Sequence, residues 1–145
     1  MNGNSNAWID NAFPSLSHGR YTITSAPSVD YNCIGWALGD SAAWWSHLPG
    51  YRWPNVERNP TVETLVAMFA QMGYQICDDA CLENGFEKVA LYEKAGLWTH
   101  ASRQLTNGRW TSKLGPEEDI EHATPDDLSG VLYGAVHCIM RKRQP

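Results

Sequence analysis

The sequence of 145 residues lacks the long apolar runs of membrane-spanning proteins and the basic excess of nucleic-acid-binding proteins. No apolar stretch approaches the length that a transmembrane helix needs. The net charge is −5, and the basic cluster Arg141-Lys142-Arg143 is too short to attract a polyanion. We therefore expect no nucleic-acid partner and no membrane partner. No cofactor is expected either, because the glycine motif that binds phosphate groups is missing.

A classical export signal is also missing from the sequence. Residues 1–6 are polar and contain neither a basic region nor an apolar stretch. In such a chain, the four cysteines are expected to be free thiols rather than a disulfide framework. The sequence thus predicts a cytoplasmic protein. Delivery by a specialised secretion system needs no such signal and stays compatible with this prediction.

The residues that are present suit one globular domain. Hydrophobic residues make up 43% of the chain, and seven tryptophans supply bulk for a core. We predict a single domain over residues 1–145, with an irregular N-terminal segment at 1–30 that contains a short edge strand at 21–24. A helix is predicted from residue 32, and a second, with an apolar stripe at helical spacing, between residues 61 and 73.

Strand periodicity follows the second helix. Strands are predicted at residues 74–77, 88–93, 97–105, 109–114 and 133–140, and Asn107-Gly108 is a strong hairpin signal. Residues 115–123 are predicted to be a polar connection, followed by a capped turn at 124–128. Helices that precede an antiparallel sheet indicate an α+β fold, with N-terminal helices packed on a C-terminal sheet.

Cys33 is the main candidate for chemistry. It is predicted in the first turn of a helix, where unpaired backbone N–H groups and the helix dipole stabilise a thiolate. Asn32 can cap this helix or donate its side-chain amide to an oxyanion. The alternative interpretation is a buried cysteine that packs as a small hydrophobic residue.

A nucleophilic thiol needs a base, and His100 is the candidate. By strand alternation, His100 shares a face with Trp98, Ser102 and Gln104. A tight Asn107-Gly108 turn pairs Gln104 with Thr111 and Ser102 with Lys113. If the Cys33 helix packs on this face, His100 can accept the thiol proton. Asp119 is the first choice to orient the imidazole ring, and His122 and Gln104 are weaker choices.

A metal site is the competing chemical hypothesis. Cys77 and Cys81 have the spacing of half a zinc site, and His122, His137 and Cys138 are further possible ligands. Structural zinc usually takes two closely spaced ligand pairs, and the second pair is missing. His137 and Cys138 are adjacent on a strand and point to opposite faces. We therefore expect no metal.

These residues resemble a known superfamily. A helix that carries a cysteine, followed by a sheet that carries a histidine, resembles the papain-like cysteine hydrolases. The segments Lys88-Val89-Ala90-Leu91-Tyr92 and Trp98-Thr99-His100-Ala101-Ser102 resemble the paired strands of NlpC-type cell-wall peptidases. The whole chain also resembles a family of small bacterial proteins with no assigned activity, through a pattern at residues 99–122.

The resemblance implies a papain-like fold in which Cys33 matches the nucleophile and His100 the orienting position. Lys88 falls at the position of the base, which is a departure because lysine keeps its charge. We therefore expect His100 itself to be the base, with Asp119 as its partner and Asn32 at the oxyanion site. Residues expected to contact substrate are Trp36, Trp53, Ser102 and Gln104.

The function predicted from the sequence is a cysteine hydrolase acting on an amide bond. Candidate substrates are a peptide, a peptidoglycan stem peptide or a protein glutamine. A toxin-like effector, with an immunity or regulatory protein as its partner, fits the small size. The alternative function is a non-catalytic binding module, or inactive relative, in which Trp44, Trp45 and Trp53 line a ligand groove.

Overall fold

Seven antiparallel strands form one sheet in the computed structural model, which describes residues 6–145. The sheet order is β1-β6-β5-β4-β3-β7-β2. This architecture confirms the predicted α+β class. The strands are Tyr21–Ser25 (β1), Gln75–Cys77 (β2), Phe86–Lys94 (β3), Leu97–Gln104 (β4), Trp110–Lys113 (β5), Asp119–His122 (β6) and Ala135–Arg143 (β7).

In the described part of the chain, three helices accompany the sheet: Ala7–Ala12 (α1), Cys33–Ala37 (α2) and Val62–Gln71 (α3). Short 3₁₀ turns occupy Pro14–Leu16 and Pro125–Leu128. The side chain of Thr61 caps α3 by accepting a hydrogen bond from the Thr64 N–H, as its predicted boundary requires. Within residues 6–145, none of the helices combines the length and the apolar character that crossing a bilayer demands.

Both faces of the sheet are covered. Val89, Leu91 and Ala101 lie on the face that packs against α2 and α3, which we call the α2–α3 face. Their strand neighbours Ala90 and Tyr92 point the other way and pack in a second cluster with residues of α1 and of both 3₁₀ turns. We call this side the α1 face. Alternation along each strand therefore decides which core a side chain joins.

Residues 6–25 contain more regular structure than the sequence predicts. Asn6 caps α1 by accepting from the N–H groups of Trp8 and Ile9, and β1 is an edge strand, as predicted at residues 21–24. The prediction of irregular structure at residues 1–30 is therefore wrong where α1 forms. Residues 1–5 of that segment lie outside the described chain. The connection predicted at residues 115–123 is also wrong, because β6 pairs there with β1 and β5.

Two local irregularities change which residues share a face. The turn at Asn107-Gly108 pairs Gln104 with Trp110 and Arg103 with Thr111, one residue away from the predicted register. In the β3–β4 pairing, the register shifts between Tyr92 and Glu93, so that Trp98 opposes Glu93. This bulge places Trp98 on the α2–α3 face, beside Trp53. The predicted common face for Trp98 and His100 is therefore wrong.

Candidate functional site

Cys33 is the first residue of α2, as the sequence predicts, and Asn32 holds the start of this helix. Oδ1 of Asn32 accepts hydrogen bonds from the N–H of Gly35 at 3.2 Å and from the N–H of Trp45 at 3.0 Å. Its Nδ2 donates to the carbonyl oxygen of Trp45 at 2.7 Å. Asn32 is itself buried. Its amide therefore caps α2 and attaches the 45–46 segment, and these bonds occupy the group predicted to bind an oxyanion.

The thiol of Cys33 is enclosed in the core. The residue is 6% exposed and packs in the cluster of the α2–α3 face. Burial raises the pKa of the Cys33 thiol to about 11, although backbone hydrogen bonds from Ala101 and Ile34 act in the opposite direction. Because α2 has only five residues, its dipole is short. Cys33 therefore has the surroundings of a packing cysteine.

His100 is fully buried on the other side of the sheet. Its ring stacks on Tyr133, with ring centroids 4.2 Å apart, and meets the ring of Tyr92 edge-on at 5.1 Å. Neither ring nitrogen has a hydrogen-bond partner among the described residues. Burial lowers the pKa of His100 well below its usual value, and the nearby His122 lowers it further. The imidazole is therefore neutral at physiological pH.

The structure does not bring Cys33 and His100 together as a hydrogen-bonded pair. α2 contacts β4 on the face of Ala101, and His100 is the preceding residue, which points to the α1 face. The condition for a Cys33–His100 pair, that α2 packs on the His100 face, is therefore not met. Strand alternation correctly places residues 100 and 101 on opposite faces of the sheet. The sequence contains no signal that shows which of these two faces packs against α2.

Asp119 also lies away from His100. It is buried on β6 opposite Lys113, and its Oδ2 accepts a hydrogen bond from the hydroxyl of Tyr31 at 2.6 Å. Burial and this bond raise the pKa of Tyr31 to about 12. Lys113 Nζ donates to the carbonyl oxygens of Ser28, Gly115 and Glu117 at 2.6–2.8 Å. Asp119 thus orients a tyrosine rather than the predicted imidazole, and Lys113 holds loops together.

The residues predicted to contact substrate have structural partners. The indole N–H of Trp36 donates to Thr111 Oγ1 at 2.9 Å, and Trp53 stacks on Trp98 with centroids 6.5 Å apart. Ser102 Oγ lies 3.2 Å from the hydroxyl of Tyr92. Gln104 Nε2 donates to the Ala80 carbonyl at 2.8 Å. Trp45 and Trp53 are buried in the core of the α2–α3 face, whereas Trp44 is half-buried, so the three indoles do not line an open groove together.

Ser112 and His122 form a second buried polar pair, on the α1 face. Oγ of Ser112 is 2.8 Å from Nε2 of His122, and Nδ1 of His122 is 2.8 Å from the carbonyl oxygen of Thr124. Burial lowers the pKa of His122 to about 4. Since the carbonyl can only accept, Nδ1 carries the proton and Nε2 accepts from the serine hydroxyl. Sequence reasoning missed this pair because it missed β6.

A large open concavity lies at the other end of the sheet, beside the edge strand β2. This cleft, which we call the β2 cleft, has a volume of about 430 Å³. Exposed Ile76 and Leu82 stand at its sides, and the buried ammonium group of Lys88 lies within it. Its lining residues are Ile76, Cys77, Asp78, Asp79, Cys81, Leu82, Glu83, Lys88 and Arg141.

Ion pairs fix the basic groups of the β2 cleft. Lys88 Nζ is 3.2 Å from Asp79 Oδ1 and 3.4 Å from Glu83 Oε1, and Arg141 pairs with the same glutamate. These contacts outweigh burial and raise the pKa of Lys88. Lys88, which the resemblance places at the base position, is therefore a charged lysine in this cleft.

Cys77 and Cys81, the proposed half of a zinc site, both line the β2 cleft. In the part of the chain that the structure describes, no three His, Cys, Asp or Glu side chains are grouped so that they hold a metal ion. His122 bonds to Ser112, and His137 is exposed on β7. The two cysteines are thus a pair of thiols in an open cleft.

The chain belongs to a protein family described as a domain of unknown function (DUF7689), whose model matches residues 22–141. The match covers every strand except the ends of β1 and β7. A search of curated proteins and a search of solved structures each gave no match.

Proposed function

We propose that this protein is a non-catalytic binding module that takes an extended peptide segment at the β2 cleft. The observation that carries the proposal is the contrast between two sites. The Cys33 thiol is enclosed, and no histidine of the described chain is bonded to it, whereas the β2 cleft is open and lined by charged groups. Clefts of several hundred Å³ are the usual places for ligands.

The proposal includes an evolutionary relationship to the papain-like, NlpC-like fold. A short helix that starts at Cys33 and packs on an antiparallel sheet supports this relationship. Within it, the chain is an inactive relative, because Lys88 is tied in ion pairs and His100 is sealed beneath Tyr133. The cytoplasmic location predicted from the sequence belongs to the same proposal, with a protein segment as the partner.

Strand addition is the binding mode that suits this site. β2 is the last strand of the sheet, so one of its edges has no neighbouring strand among residues 6–145. An extended peptide can pair with such an edge through its backbone, while its side chains enter an adjoining pocket. Ile76, on β2, is largely exposed and supplies an apolar contact.

The charges of the β2 cleft favour a basic peptide. Three carboxylates line the cleft against two cations, and the chain as a whole carries a net charge of −5. Lys88 and Arg141 already have carboxylate partners. Asp78 is exposed at the cleft and is the residue available to meet an incoming ammonium or guanidinium group.

A titration with model peptides tests this proposal. An acetylated octapeptide of alternating valine and lysine is extended and basic, and the matched valine–glutamate octapeptide differs only in charge. We expect the basic peptide to shift the backbone amide NMR signals of residues 75–83 and 88 in a saturable manner. The acidic peptide is expected to bind at least about tenfold more weakly, which corresponds to roughly 1.4 kcal/mol.

Charge-reversal variants supply the control. Asp78→Lys is expected to weaken the valine–lysine peptide by about tenfold. Glu63→Lys makes the same charge change on an exposed position of α3, away from the cleft, and is expected to leave the affinity near that of the wild type. Equal loss in both variants, equal binding of both peptides, or signals that shift around α2 instead of β2 would contradict the proposal.

A further inference from the structure

The two thiols of the β2 cleft lie around one residue, Asp79. Cys77 Sγ donates to the carbonyl oxygen of Asp79 at 3.6 Å, and the backbone N–H of Cys81 donates to Asp79 Oδ1 at 3.0 Å. The pKa of Asp79 is lowered, mainly by the backbone hydrogen bond from Cys81 and next by the hydrogen bond and charge of Lys88. The thiol of Cys81 lowers it further. Cys77 and Cys81 are therefore both hydrogen-bonded to Asp79, in the short loop at residues 78–80.

A cation stands beside this pair. Lys88 Nζ donates to the carbonyl oxygen of Asp79 at 3.0 Å, which is the same oxygen that accepts from Cys77. Burial raises the pKa of Cys77, and the charge of Lys88 opposes that rise. Cys81 is exposed, whereas Cys77 is half-buried. The pair thus has the two parts of a thiol–disulfide couple, an accessible cysteine and a second one behind it next to a positive charge.

We propose that Cys77 and Cys81 form a reversible dithiol–disulfide couple that reacts with low-molecular-weight disulfides and controls access to the β2 cleft. The Cys81 thiolate attacks a disulfide RSSR, forms a mixed disulfide and releases one RS⁻, which takes up a proton. The Cys77 thiolate then attacks the sulfur of Cys81 and releases the second RS⁻. Two protein thiols are oxidised to one disulfide while RSSR is reduced to two RSH.

The new bond changes the β2 cleft directly. The Cys77 sulfur leaves the Asp79 carbonyl, and the loop at 78–80 is held across the cleft mouth, beside the ion pairs of Lys88. The oxidised protein is therefore expected to bind the valine–lysine octapeptide at least about tenfold more weakly than the reduced protein. This second effect rests on the proposed function, whereas formation of the disulfide does not.

Oxidation of the full chain by oxidised glutathione tests the couple. Free thiols are blocked with N-ethylmaleimide, and the cysteine pairing is mapped by peptide mass spectrometry. We expect the loss of two thiols, a peptide link between Cys77 and Cys81, and free thiols at Cys33 and Cys138. Dithiothreitol is expected to restore the two thiols.

Variants separate the two steps. Cys77→Ser is expected to stop at a stable glutathione mixed disulfide on Cys81, and Cys81→Ser to form no disulfide. Cys138→Ser, a control at the neighbouring strand β7, is expected to oxidise like the wild type. If Cys77→Ser does not fold, the cysteine pairing mapped in the wild type and the behaviour of Cys81→Ser, a change at an exposed position, are sufficient to test the couple. A persistent mixed disulfide in the wild type, or a bond to Cys138 or Cys33, would overturn the proposal.

The peptide titration and the oxidation assay fail in distinguishable ways. If the disulfide forms but the octapeptide never binds the reduced protein, the couple stands and the proposed function falls. If the octapeptide binds but no Cys77–Cys81 link appears, the couple falls and the proposed function stands.

Discussion

Lowering the pH from about 7.5 to about 5 is expected to reduce the free energy of unfolding by at least about 2 kcal/mol. The cause is the burial of two uncharged imidazoles, His100 and His122. Burial lowers the pKa of His122 to about 4 in the folded chain, against a value near 6.5 for an exposed imidazole. Between these two values the unfolded chain binds a proton that the folded chain does not.

This difference in proton binding sets the direction of the pH dependence of stability. The stabilisation is fully present above about pH 6.5, the unfolded value, and is lost as the pH falls toward about 4. By about pH 5, His122 alone accounts for about 2 kcal/mol, and His100 adds to the loss in the same direction. Urea unfolding at several pH values between 7.5 and 5 measures the effect.

Two variants test the assignment of this pH dependence. His100→Phe keeps an aromatic ring against Tyr133 and removes two nitrogens that have no partners in the described chain. We expect it to raise the stability at neutral pH by about 1 kcal/mol and to flatten the pH profile. His137→Gln changes an exposed histidine and is expected to leave the profile unchanged. A profile that is the same in all three proteins would contradict the account.

Replacing Asn32 with alanine is the second large effect and is expected to cost about 3 kcal/mol of stability. The change leaves three buried backbone groups unpaired, the N–H of Gly35 and both the N–H and the carbonyl of Trp45. It therefore loosens the start of α2 and the 45–46 segment at once. Thermal or urea unfolding measures the cost.

Asn6→Ala is the matched control, since Asn6 caps α1 by the same side-chain bond at a partly exposed position. Loss of this cap, together with the partly exposed bond from Asn6 Nδ2 to Glu118 Oε2, is expected to cost about 1 kcal/mol. Equal costs for the two variants would show that Asn32 is only a cap. A stable Asn32→Ala protein that loses an amidase activity would instead support the oxyanion role predicted from the sequence.

The sequence predicts the parts of this fold whose patterns are local. The apolar stripe on α3 and the strand at residues 88–93 depend on patterns of neighbouring residues, and the structure has a helix and a strand at these positions. β6 escaped prediction because Asp119, Glu121 and His122 look like a solvated polar segment. Asp119 bonds Tyr31, which is 88 residues away, while Glu121 and His122 bond Arg109 and Ser112 across the β5–β6 pairing. These partners satisfy the polar side chains of the strand.

The arrangement of the candidate site depended on details that no local pattern contains. One bulge between Tyr92 and Glu93 and a one-residue change in the β4–β5 register decide which side chains face α2. The sequence correctly places Cys33 at the start of a helix and His100 in a strand. It does not specify that Ala101, rather than His100, meets the thiol.

The reactivity of Cys33 most directly tests the claim that this cysteine is a packing residue rather than a catalytic nucleophile. Alkylation by iodoacetamide at about pH 7, followed by peptide mass spectrometry, gives a separate rate for each cysteine. Because burial raises the pKa of Cys33 to about 11, the thiolate fraction is about two orders of magnitude below that of a free thiol. We predict that Cys81 reacts fastest, that Cys33 reacts slowest, and that His100→Ala does not slow Cys33. Fast labelling of Cys33 that depends on His100 would contradict the account.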